Sequence, residues 1–167
     1  LGKQISQSLT VGNTFAVVTT SGGKSRAQGF EAELDLAPMR GLELQASVAH
    51  LSTVWLESGT QNIPRNTMWG LAPKWTFHLG AQYRFNLPNE AEVTLRADYG
   101  YQSEYQRDSD PGRQLLKPEP GYGLVNARIQ YAPPGVKWNL QLWVTNLGDK
   151  AYVNAGTGSV YLFGVDA

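Results

Sequence analysis

The sequence predicts an all-β chain: an antiparallel meander of about seven strands that forms a segment of a transmembrane β-barrel of the outer-membrane type. Three observations predict it. Apolar and polar residues alternate with a period of two over long stretches, the mark of strands whose two faces differ. Aromatic residues gather at the two ends of these stretches around an aliphatic middle, as in membrane strands of about 9 to 11 tilted residues. The connections alternate between short and long, as in bacterial barrels with short periplasmic turns and long external loops.

In chain order, residues 5–20 are rich in Thr, Ser and Val and predict one strand of unassigned phase. Next, Phe30, Ala32, Leu34 and Leu36 alternate with Glu31, Glu33 and Asp35, and residues 37–41 turn the chain. The return strand sets Leu42, Leu44, Ala46 and Val48 out of phase with Glu43, Gln45 and Ser47. The clearest hairpin follows. Every odd position of 74–85 is apolar or aromatic and every even one is polar, charged or Gly, and residues 92–101 repeat the pattern after a turn at 86–90. Trp75, Phe77, Tyr99 and Tyr101 then form a girdle at the end far from the turn. Tyr83 and Phe85 form another near it, with Leu79, Ala81, Val93, Leu95 and Ala97 between. A last hairpin pairs Val125, Ala127, Ile129 and Tyr131 with Val136, Trp138, Leu140, Leu142 and Val144 across a turn at 132–135, with Tyr131 and Trp138 near that turn.

Turns near 38–40, 86–90 and 132–135 are short, whereas segments near 10–24, 57–73, 106–120 and 148–159 are long and rich in Gly, Pro, Asn, Asp and Ser. Strands beginning at Gly41, Glu90 and Val136 therefore run outward, and those beginning near Arg26, Lys74 and Gly121 run inward. The chain has 167 residues, 14 Lys and Arg against 14 Asp and Glu, and no Cys. Balanced charge without a basic cluster argues against a nucleic-acid partner, and neither a disulfide nor a Cys-ligated metal is possible. No long apolar run suits a membrane helix, but alternation hides lipid-facing strand residues from such averages. No secretory signal opens the chain, so it is expected to start after processing or within a longer protein. Seven strands alone would leave bare edges in hydrocarbon, so a fragment of a barrel is expected.

The search for chemistry is largely negative. His50 and His78 lack metal-ligand spacing, 108–112 lacks the ligand run and distal Glu of a calcium loop, and the glycines at 121–123 and 156–158 precede no helix that would bind phosphate. No Ser/His/Asp set or carboxylate pair points to hydrolysis; no catalytic, metal or cofactor residue is assigned. If Phe77 pairs with Tyr99, His78 faces Asp98 and Arg84 faces Glu92 as ion pairs lining the lumen. In the outer loops, Arg65, Trp69, Arg107, Arg113 and Tyr152 are candidate ligand contacts through stacking and charge, together with Trp55, Tyr105 and Tyr161. Trp55 and Tyr105 equally suit an extended outer girdle.

Residues 25–33, Ser-Arg-Ala-Gln-Gly-Phe-Glu-Ala-Glu, resemble the Ser-Arg-Gly-x-Glu stretch of TonB-dependent outer-membrane receptors, with Ala27 and Gln28 inserted before the Gly. Gly41-Leu42-Glu43-Leu44 after a short turn and Pro73-Lys74-Trp75 at a strand re-entry are similar to that family too. So is 143–152, Trp-Val-Thr-Asn-Leu-Gly-Asp-Lys-Ala-Tyr, which resembles the Asn-Leu-Phe/Thr-Asp-Lys-x-Tyr segment leaving its penultimate strand. The resemblance covers nearly the whole chain from about Lys24. It implies that residues 1–167 are the C-terminal segment of a barrel of about 22 strands, with the plug domain and last strand outside the chain. It also implies a bacterial outer-membrane location and TonB-coupled uptake of a scarce nutrient such as a ferric siderophore. The implied partners are outer-membrane lipids, the TonB complex, a small nutrient ligand and the rest of the barrel and plug. A passive porin or barrel enzyme shares every strand-level feature. A soluble β-barrel or sandwich binder also shows alternation, but it would bury its apolar phase rather than ring it with two girdles.

Overall fold

The structure is a computed structural model that describes residues 2–11, 14–58, 68–107 and 117–153. Seven strands follow in chain order: β1 (Gly2–Val11), β2 (Thr14–Met39), β3 (Leu42–Ser58), β4 (Trp75–Asn86), β5 (Glu92–Gln102), β6 (Tyr122–Ala132) and β7 (Leu140–Val144). They form one sheet in the order β1-β2-β3-β4-β5-β6-β7, each strand antiparallel to the next. The described residues contain no helix.

Direct cross-strand partners share a face of the sheet, so the register sorts side chains into rows. One face carries Ala32–Val48–Phe77–Tyr101, then Leu34–Ala46–Leu79–Tyr99–Val125, then Leu36–Leu44–Ala81–Ala97–Ala127–Val144, and then Leu42–Tyr83–Leu95–Ile129–Leu142. Every member is apolar or aromatic. The other face carries Glu33–Ser47–His78–Gly100–Leu124, Asp35–Gln45–Gly80–Asp98–Asn126 and Glu43–Gln82–Arg96–Arg128–Trp143. The alternation in each strand thus adds up, strand by strand, to one apolar face and one polar face. The apolar face is not a core: Phe30 is 56% exposed, Leu79 52% and Leu142 62%. The few buried apolar side chains, Trp55, Ala91, Val93, Tyr105 and Tyr122, lie toward strand ends and loops instead.

The β4–β5 register differs from the sequence expectation by two residues: Phe77 pairs with Tyr101, and Tyr99 with Leu79. The turn supplies the reason. Leu87, Pro88, Asn89 and Glu90 form a β-turn closed by Glu90 N–H donating to Leu87 O at 2.9 Å, with Pro88 fixing φ at its second position. Glu90 then adopts φ +62°, and Leu87 N–H donates to Ala91 O at 2.8 Å. This is the three-residue hairpin connection with a left-handed last residue, centred on Asn89 rather than Pro88. His78 therefore lies opposite Gly100 and Arg84 opposite Thr94. Val93 moves from the middle of the apolar band to the turn-end row, beside Phe85 and Tyr131.

Two further expectations are corrected. Residues 14–24 of the segment 10–24 are strand rather than loop, because they belong to β2 and pair with β1 from Val11–Thr14 onward; Gly23 takes φ +100° beside a register shift at Lys24/Ser25. The strand expected from Val136 starts only at Leu140. Tyr131 pairs with Leu140, so Val136, Trp138 and their neighbours have no strand opposite them, and Pro133 and Pro134 lack the N–H groups that would extend β6. Trp138 thus belongs to a connection, with its ring 6.5 Å from that of Tyr131.

Candidate functional site

The polar face holds the chemistry. On β5, Arg96 and Asp98 are two residues apart and point the same way, and the guanidinium takes both carboxylate oxygens, Nη2–Oδ1 at 2.7 Å and Nε–Oδ2 at 3.0 Å. Arg96 Nη2 also donates to Gln45 Oε1 on β3 at 3.1 Å, reaching across β4. It can do so because Gly80 stands between Gln45 and Asp98 in the row; a Cβ there would lie 3.2 Å from Asp98 Oδ1 and 3.4 Å from Gln45 Oε1. His78 Nε2 lies 3.7 Å from Asp98 Oδ1, and Arg84 Nε lies 3.7 Å from Glu92 Oε1. Both expected pairs of side chains therefore approach each other, but diagonally rather than directly opposite. Gln82 Nε2 donates to Glu43 Oε2 at 3.1 Å.

At the end of the sheet away from the short turns, a second cluster ties the connections together. Tyr105 and Glu119 exchange backbone hydrogen bonds of 3.1 and 2.9 Å, bringing the two arms of the β5–β6 connection together. Tyr105 O–H donates to Val153 O at 2.6 Å, and Val153 N–H donates to Glu119 Oε1 at 3.2 Å. Tyr152 stacks on Tyr122 with ring centres 4.6 Å apart. The chain reaches this position through a clamp at the end of β7. Asn146, at φ +51°, accepts from Lys150 N–H at 2.9 Å and donates through Nδ2 to Lys150 O at 3.1 Å, while its own N–H donates to Asn126 Oδ1 at 2.9 Å. Asn tolerates the left-handed region and offers both an acceptor and a donor, which is what this turn uses.

Of the candidate ligand contacts, Arg65, Arg113 and Tyr161 lie outside the described residues. Arg107 is engaged structurally: Nη1 lies 3.8 Å from Glu119 Oε2, and Nε donates to Lys117 O at 2.8 Å. Trp69 is half-buried, with its backbone N–H donating to Thr53 Oγ1 at 3.2 Å. Trp55 is 1% exposed and shares a strand face with Leu51 and Thr53, opposite to that of the His50 row. Trp55 and Tyr105 are both packed in, so neither extends a girdle on the apolar face. Tyr152 keeps one open side, at 37% exposure.

Trp75, Phe77, Leu79, Tyr83, Phe85, Leu95, Tyr99, Tyr101 and Tyr131 all lie on the apolar face. At its loop end the rings form a continuous chain: Phe30–His50 at 5.7 Å, His50–Trp75 at 4.5 Å, Trp75–Phe77 at 5.9 Å and Phe77–Tyr101 at 5.8 Å. Tyr83 and Phe85, 5.4 Å apart, stand at the turn end. His50 was missed as a belt member, although it continues the phase of Leu42, Leu44, Ala46 and Val48. Trp143 was missed on the polar face, where its signal was an aromatic residue in the polar phase of Gln141 and Thr145.

Comparison with known proteins bears on this architecture. The family model described as TonB dependent receptor-like, beta-barrel matches residues 3–147. The ferric-pyoverdine M114 receptor PbuA of Pseudomonas sp. (strain M114) is 29% identical over 143 residues, which take in 83% of this chain and 17% of that protein. The crystal structure of BauA, the ferric preacinetobactin receptor from Acinetobacter baumannii, superposes with a TM-score of 0.65 at 18% identity, over 89% of this chain and 22% of that one. The structural likeness speaks for the fold. The chain spans less than a quarter of the length of either relative.

Proposed function

Because the chain belongs to the TonB-dependent receptor β-barrel family, we propose that it is a stretch of the wall of an outer-membrane receptor that imports a ferric siderophore. The observation that carries this reading is the two-faced sheet, with an exposed apolar face bounded by aromatic belts and backed by a charged, hydrogen-bonded polar face. In the proposal the apolar face meets lipid and the polar face lines the lumen. Trp75 to Phe85 is ten steps of about 3.4 Å, and at a tilt of about 40° this spans roughly 26 Å, close to the apolar band of about 25 Å in such barrels. Phe30, His50, Trp75, Phe77 and Tyr101 are the outer girdle; Tyr83, Phe85, Tyr131 and Trp138 are the inner one. A soluble barrel would turn its apolar face inward and its charges outward, with no reason for rings at both ends.

The seven strands make up about a third of a barrel of roughly 22 strands, the size of plugged transporters. The plug, the remaining strands and the TonB complex are the proposed partners, and the inner-membrane proton gradient drives release through TonB. The family is one of transporters, and the ferric-siderophore cargo is supported by the named cargo of both relatives. Uptake of iron-labelled chelates by cells with and without the full-length gene tests this. The expected result is loss of uptake of one ferric siderophore on deletion, restoration by the gene, and abolition by a protonophore. Uptake of every ferric chelate independent of the gene, or gene-dependent uptake indifferent to the protonophore, would overturn it.

A further inference from the structure

The row Glu43–Gln82–Arg96–Arg128–Trp143 crosses five strands on the polar face, and its charges are unevenly matched. Arg96 is bound bidentately by Asp98, and Glu43 is hydrogen-bonded to Gln82. Arg128 stands directly opposite Arg96 and has no ion pair among the described residues. The neighbouring polar-face positions of β6 and β7, Asn126, Gln130 and Gln141, are all neutral. Across the strand gap from Arg128 stands Trp143, on β7 at the edge of the described sheet, whereas the other large apolar side chains of this face, Leu51, Trp55, Tyr122 and Leu124, lie toward its loop end. Arg96, Asp98, Asn126, Arg128, Gln141 and Trp143 surround a cleft of about 320 Å³.

We infer that Arg128 and Trp143 form a lumen-wall contact site for an anionic chelate carrying a flat conjugated group, which the ligand touches during passage. A guanidinium offers a planar fork to a carboxylate or phenolate, and an indole face in the adjacent position takes a ring by stacking. Arg96 is charge-compensated by Asp98, which with Gln45 takes its Nε and Nη2 donors, so Arg128 is the cation of this cleft without an ion pair among the described residues. If Arg128 were only a wall cation, it would not need an indole beside it. If Trp143 were a lipid anchor, it would stand in the row of Leu142 or Val144.

The inference rests on the uptake reading, so the test uses the full-length receptor in cells and a ferric siderophore that the wild type imports. Surface binding is measured on de-energised cells on ice, and the uptake rate on energised cells. Arg128→Gln and Trp143→Ala are expected to leave surface binding unchanged and to slow uptake by about tenfold, as for loss of one charge-assisted contact. Trp143→Phe, which keeps a ring, should retain most uptake. Heat-modifiable migration of each variant controls for folding. Normal uptake by folded Arg128→Gln and Trp143→Ala receptors would overturn the site. So would a leak of large antibiotics accompanying the loss of uptake, which would assign the pair to holding the plug. A wild-type receptor that imports no ferric chelate would instead remove the uptake reading itself.

Discussion

Arg96 grips Asp98 from the same strand and the same side, and the pair lies over the bare Cα of Gly80 with Arg128 directly opposite the arginine. Asp98 therefore does two things: it accepts two charge-assisted hydrogen bonds, and it screens two facing guanidinium groups from each other. Removing the acid is expected to cost more than removing the base. In the full-length receptor, Asp98→Asn should destabilise more than Arg96→Gln, with a coupling between them of about 1 kcal/mol in a double-mutant cycle, the modest size expected for a partly solvated pair. Denaturant unfolding in lipid vesicles measures it. Equal single-mutant costs with no coupling would mean that the pair is incidental.

Period-two alternation was legible because it belongs to each strand separately; any one of 30–36, 42–48, 74–85 or 125–131 announces its own two faces. Register was not legible, because it is set by the conformation of a few turn residues. Nothing in the pattern tells that Glu90, rather than a Gly, takes the left-handed position that shifts β5 by two residues. Strand ends were illegible for a related reason: Val136 and Trp138 keep the alternation but lack a strand to pair with once Tyr131 meets Leu140. The approaches of His78 to Asp98 and of Arg84 to Glu92 were expected through the wrong register, since long side chains reach diagonal partners as well as direct ones. The Asn146 clamp was visible only as a resemblance in sequence, until its hydrogen bonds gave it a physical role.

Gly41 is expected to be intolerant of any side chain. It sits at φ +83°, its carbonyl accepts from Arg84 N–H at 2.8 Å, and a Cβ there would run into the Arg84 carbonyl oxygen. Gly41→Ala should lose at least about 1–2 kcal/mol from the left-handed conformation alone, with the steric conflict added to it. Gly135, also left-handed at φ +71° but with nothing near its Cβ position, should lose only the conformational part. Comparing the two alanine variants by unfolding midpoint separates close approach from backbone strain; equal losses would assign no role to the approach.

The Asn146 clamp should be separable into its two functions. Asn146→Gly keeps the left-handed backbone but deletes both side-chain bonds to Lys150, whereas Asn146→Ala deletes the bonds and strains the backbone. Both are expected to loosen residues 147–153, and Ala should add about 1 kcal/mol to the cost seen with Gly. Amide hydrogen exchange at Val153, whose N–H is held by Glu119, reports the loosening. Unchanged protection in Asn146→Gly would mean that the Tyr152–Tyr122 stack and the Tyr105–Val153 bond hold the segment without the clamp.

Depth within a bilayer makes the sharpest demand on the apolar face. The corrected register puts the midpoint between Trp75 and Phe85 next to Leu79 and Ala81, and across the hairpin that level falls between Ala97 and Tyr99, with Leu95 one row toward the turn. Arginine at Ala97 in the full-length barrel should therefore cost about 2–4 kcal/mol, falling to about 0–1 kcal/mol for the charge itself at Val93 and Tyr101, where the girdles begin. Leu95→Arg should lie between. Two details keep the profile readable: Ala97 gives up little packing when replaced, whereas Tyr101 also gives up its contact with Phe77, a loss that Tyr101→Ala measures by itself. Unfolding free energies of the series in lipid vesicles decide the matter. A peak at Ala97 with a clearly lower cost at Leu95 is the signature of a membrane plane crossing this row, and equal costs at Leu95 and Ala97 would restore the register with Phe77 opposite Tyr99, which sets the midpoint between them. A profile that follows residue size with no maximum along the strand would take the bilayer out of the explanation, and the transport reading with it.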